Sequence, residues 1–118
     1  MSVPPSSNNP HASNTPIVSE FATDPDMAEL VALFVQEMPA RLASLKASWQ
    51  SQELSEVQRL AHQIKGASGG YGFSQVGSAA AALEKSLIAL SEGSSRSSTD
   101  ELRSKFDELI SICQRVRT

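Results

Sequence analysis

Histidine and cysteine are the residues in this 118-residue chain best suited to group-transfer or metal chemistry, and the chain holds only His11, His62 and Cys113. A neutral imidazole is a competent nucleophile near physiological pH, because the unperturbed histidine pKa is about 6.5. Cys113 has no second thiol for an internal disulfide, and no cysteine–histidine spacing suggests zinc, so it reads as a small core residue. His11 stands without a companion ligand in MSVPPSSNNPHASNTP and reads as solvated. The chemistry rests on His62, and no metal site is expected.

The positions around His62 carry the argument further. One and two turns on, Gly66 and Gly69 leave the same helix face without side chains. A glycine inside a helix costs roughly 0.5 to 1 kcal/mol relative to alanine, so a cleared patch beside an exposed ring suits the approach of another protein's active site. Gly69 also suits the end of the helix. Lys65, three residues after His62, can offer an ammonium to the oxygens of a phosphoryl group on the ring. Within this helix no Asp or Glu stands close to His62 as a base, which favours a passive acceptor over an enzyme.

The elements that must hold this face are helical in period. From about Glu53 to Gly69, the positions Leu54, Val57, Ala61, Ile64 and Ser68 step by three and four, with Leu60 broadening the stripe. On a helical wheel His62 points roughly 140° from the mean apolar direction, toward water. Upstream, Asp24 and Pro25 offer a cap and a first helical residue. Met27, Leu30, Val31, Phe34 and Met38 follow, before Pro39 is expected to end or kink the segment and open another through Leu42, Leu45 and Trp49. Trp49 at that spacing reads as a core anchor. Downstream, glycines close the His62 helix and Ser74 caps the next, whose seam is Val76, Ala80, Leu83, Leu87 and Leu90. A polar loop, Ser91 to Ser98, leads to a capping box of Ser98 and Glu101 and a last helix through Leu102, Phe106, Leu109, Cys113 and Val116. The expected fold is all-α: an antiparallel four-helix bundle, up-down-up-down, with a short additional N-terminal helix.

Composition sets the outer limits. Hydrophobic residues are 40% and charged residues 19%, the balance of a single globular domain. The first sixteen residues hold four Pro, four Ser and three Asn, too few apolar groups to offset the entropy of ordering. Residues 1–22 are therefore expected to be a disordered tail or linker and residues 23–118 the folded domain. Ten basic residues are dispersed among thirteen acidic ones for a net charge of −3, which leaves no basic patch for nucleic acid and points to protein partners. No apolar run approaches the ~20 residues that span a bilayer, and no secretion signal is visible, so a cytoplasmic protein without membrane contact is expected.

The segment LAHQIKGASGGYGF, Leu60 to Phe73, resembles the signature of histidine-containing phosphotransfer (HPt) domains, in which Lys follows the His at i+3 and Gly at i+4. The likeness continues into Ala82, Leu83 and Glu84, and the layout from Asp24 to Val116 is similar to the family's; Gly70 and Tyr71 make the helix end unusually loose. The resemblance implies a monomeric phosphorelay intermediate of two-component signalling. His62 would take a phosphoryl group from the aspartate of one response-regulator receiver domain and pass it to another, with Lys65 stabilising the phosphate. Gln58, Arg59, Gly66, Gly69 and Phe73 would form the docking surface, and Glu84 would stand nearby in a supporting place. The domain itself would bind no cofactor, since the receiver brings its own Mg²⁺, and would have no independent turnover.

Two other functions fit the same residues. One is the phosphoacceptor domain of a chemotaxis-type histidine kinase, loaded from a kinase domain bound to ATP; a sensor histidine kinase as partner belongs to this family of readings. The other is a helical adaptor that binds partners and never carries phosphate. Mixing the protein separately with a phosphorylated receiver and with an ATP-bound kinase distinguishes the first, and replacing His62 by Gln separates the second, because a pure adaptor keeps its function and its partner affinity.

Overall fold

The computed structural model describes residues 15–93 and 99–118. Four helices account for most of them: α1 (Ala28–Gln50), α2 (Leu54–Gly70), α3 (Ser74–Ser91) and α4 (Thr99–Gln114). Each helix packs on its neighbour in sequence, and α1 also meets α4. No helix among the described residues is long and apolar enough to cross a membrane. Tail residues up to 14, with His11, and the Ser98 cap lie outside the described residues.

Where two helices were expected around Pro39, α1 runs unbroken through it, so no separate short helix precedes the other four among the described residues. Its buried stripe, Val31, Phe34, Met38, Leu42 and Leu45, continues across the proline in register. Pro39 itself is exposed. The hydrogen bond it removes is lost on the side where water can replace it, while breaking the helix would interrupt the packed stripe. The start is also later than the capping residues suggest. Asp24 accepts the Asp26 N–H at 2.9 Å and its carbonyl takes the Met27 N–H at 3.0 Å, forming a turn that leads into α1 instead of its cap.

The core is continuous from α1 to α4. Phe34, fully buried, stacks on Phe73 at 5.0 Å between ring centroids and meets Tyr71 at 5.5 Å. Trp49 stacks on Phe106 at 4.2 Å, the anchoring place its spacing predicted. In α3 the seam holds through Leu87, but Leu90 is 40% exposed at the helix end. Ser74 does not cap α3: it is the first helical residue, Phe73 holds the cap position, and the Ser74 hydroxyl donates to Glu20 Oε2 at 2.6 Å.

Packing also reaches further toward the N-terminus than the expected boundary at residue 22. Ile17–Val18 (β1) pairs in parallel with Val116–Arg117 (β2), so Val116 is buried from a strand and not from the last helix. Ile17 is buried because it closes that end of the core. The strap continues to the α2–α3 turn, where the Ser19 hydroxyl donates to the Tyr71 carbonyl at 2.6 Å and the Glu20 N–H to the Gly72 carbonyl at 2.8 Å. Gly72 needs to be glycine there, since its φ is +81° and a Cβ would lie 2.5 Å from Ser19 Oγ.

Candidate functional site

Burial of Val57, Ala61, Ile64 and Ser68 fixes the rotation of α2. Residues between them on the opposite side must face outward, and the His62 side chain is 67% exposed, as the helical wheel requires. Close approach of α3 then supplies what α2 lacks. The two helices come close at Gly77, where a Cβ would stand in ordinary van der Waals contact with Ser68 Cβ at 3.5 Å.

With α3 so placed and Leu83 buried, the adjacent Glu84 reaches across to α2. Its Oε2 lies 2.7 Å from His62 Nδ1 and its Oε1 accepts from Lys65 Nζ at 2.8 Å. The Glu84 side chain is only 12% exposed, against 67% for His62 and 40% for Lys65, so a half-sunken carboxylate joins two side chains of the next helix. Lys65 first, and His62 after it, hold the Glu84 carboxyl below the usual carboxylate range, although partial burial opposes them. An ionised carboxylate only accepts hydrogen bonds. Nδ1 therefore carries the hydrogen, and in the neutral ring Nε2 keeps the lone pair.

His62 borders a groove of about 400 Å³ lined by Ser55, Gln58, Arg59, His62, Gln63 and Glu84. Arg59 is turned along its own helix: Nε donates to Glu56 Oε1 at 2.9 Å and a second guanidinium nitrogen bonds Oε2. That pairing holds the Glu56 carboxyl below its ordinary range. On the other side of His62 the helix is bare. Gly66 and Gly69 are exposed, and a Cβ on either would meet nothing within 4 Å.

The structure thus brings His62, Lys65 and Glu84 into direct contact, sets Gln58 and Arg59 beside them, and leaves Gly66 and Gly69 open along α2. Phe73 is different. At 1% exposure, stacked on Phe34, it anchors the α2–α3 turn from within and cannot form part of a docking surface. No Asp or Glu of α2 stands beside His62; the carboxylate at the ring comes from α3, and it is Glu84, which the resemblance implied would stand nearby, although the contact with Nδ1 itself has no signal in the sequence.

A family model described as Hpt domain matches residues 29–118. No curated protein and no solved structure gives a match.

Proposed function

The chain belongs to the Hpt domain family, whose members carry phosphoryl groups in two-component signalling, and from that premise we propose that His62 is its phosphoacceptor. The observation that carries the reading is the Glu84 contact at Nδ1, which leaves the lone pair of an exposed imidazole at Nε2. In this reading a receiver domain presents an aspartyl phosphate. The Nε2 lone pair forms the N–P bond as the P–O bond to the aspartate breaks, and the aspartate leaves with the bonding pair as a carboxylate. Nδ1 keeps its hydrogen, and Glu84 faces the positive charge that the ring acquires.

Lys65, tied to the same Glu84 carboxylate as the ring, serves the phosphoryl oxygens, and the uncovered backbone at Gly66 and Gly69 admits the partner. Transfer to a second receiver is the same step reversed. The Mg²⁺ of the reaction belongs to the receiver, and this chain acts as a monomeric cytoplasmic carrier without turnover of its own. Short connections at residues 51–53 and 71–73 favour an antiparallel, up-down-up-down course for the four helices.

Incubation with a phosphorylated receiver domain tests the proposal. A label should appear on the chain that is labile in acid and stable in base, and should be absent from His62→Gln. Equal labelling of His62→Gln, or no label with any of a range of receivers, contradicts it.

A further inference from the structure

Resting on the carrier reading above, a second inference concerns the helical turn that precedes His62. Arg59 lies three residues before the histidine, at the spacing where side chains of one helix face meet, and it lines the same groove. Its side chain is 54% exposed and its guanidinium is engaged by Glu56, three residues further back. Lys65, the cation three residues after the ring, has Glu84 as partner at 2.8 Å. Both local ion pairs are therefore balanced while His62 is neutral and unmodified.

A phosphoryl group on Nε2 upsets that balance by adding negative charge and three acceptor oxygens at the mouth of the groove. A guanidinium is suited to answer it, being permanently charged and presenting five donors in a planar fork that matches phosphate. We propose that Arg59 holds the phosphoryl group of phosphorylated His62 in this groove, and that Glu56 competes for the same guanidinium. Exchange of Arg59 between Glu56 and the phosphoryl group then sets how far the transfer equilibrium lies toward phosphohistidine. That equilibrium needs no further reactant: the N–P bond of His62 forms as the P–O bond of the receiver's aspartate breaks, and the reverse.

The test is the equilibrium constant for transfer between one phosphorylated receiver and this chain, measured for the wild type, Arg59→Gln, Glu56→Gln and the double variant. The constant concerns four separated species, so a residue that only assists docking changes the approach to equilibrium and not its position. Arg59→Gln is expected to lower the constant about threefold, and Glu56→Gln to raise it about twofold, the scale of exposed charge pairs. Glu56→Gln should lose its effect once Arg59 is gone, and both effects should shrink in about 1 M salt, where charges are screened within about 3 Å. Unchanged melting temperatures show that neither exposed substitution disturbs the fold. A labelled wild type whose constant is the same in Arg59→Gln, even with slower transfer, makes Arg59 a docking residue and overturns the proposal. A wild type that takes no label at all removes the carrier reading instead, and this inference with it.

Discussion

Glu84 Oε2 lies 2.7 Å from His62 Nδ1 although 22 residues separate the two in the chain. Three features of the fold produce that contact: the rotation of α2 set by its buried stripe, the close approach of α3 at Gly77, and the α2–α3 turn pinned by Phe73. The carboxylate selects which ring nitrogen carries hydrogen. A hydrogen-bonding relationship between helices thus prepares the other nitrogen as nucleophile.

Glu84→Gln keeps an acceptor for Nδ1 but removes the charge. Replacing a charge-assisted hydrogen bond by a neutral one forfeits about 1 kcal/mol of stabilisation of the positive ring, or a rate about fivefold lower. The rate of label appearance on His62 at saturating phosphorylated receiver should fall by that factor, and Glu84→Ala should fall further. An unchanged rate means that the carboxylate does not act on the ring.

Acid should dissolve the same contact. A carboxyl whose folded pKa is depressed contributes stability above its unfolded value, about 4.3 for Glu, and loses it as pH falls through the lower folded value. Lys65 and His62 depress the pKa of Glu84. Urea midpoints of the wild type should therefore exceed those of Glu84→Gln at neutral pH, with the gap closing below about pH 4. A gap of constant size down to pH 3 contradicts this role for the charge.

Gly66 offers a test that separates stability from docking. A Cβ there meets nothing within 4 Å, so Gly66→Ala should stabilise the fold by about 0.5–1 kcal/mol through helix propensity alone. Gly66→Leu should also fold, yet it should slow transfer at low receiver concentration because its side chain occupies the landing area. Thermal melts and transfer rates on the same preparations check both. Transfer by Gly66→Leu at the wild-type rate means that the partner does not use this face.

Much of the fold and part of the site were legible in the residues. The period of Val57, Ala61, Ile64 and Ser68 oriented α2 and predicted an exposed His62, because a long amphipathic stripe leaves little freedom of rotation. Pro39 misled, since local chemistry marks a break while the decision rested on which side of the helix the proline faces. The pairing of Ile17–Val18 with Val116–Arg117 had no sequence signal, for two-residue strands are too short to show alternation and their partners lie at opposite ends of the chain. Phe73 looked like part of a surface from its place in the motif, and only the tertiary stacking on Phe34 reveals it as core. The precise relation of Glu84 to His62 was out of reach for the same reason: it depends on the register of α3 against α2.

Locating the transferred phosphoryl group atom by atom addresses the central claim most directly. After incubation of the nitrogen-15-labelled chain with a phosphorylated receiver, nitrogen–phosphorus NMR correlations report which ring nitrogen is bonded to phosphorus. The account predicts phosphorus on Nε2 of His62, with Nδ1 still bearing hydrogen toward Glu84. Phosphorus on Nδ1, or on any residue other than His62, would contradict it.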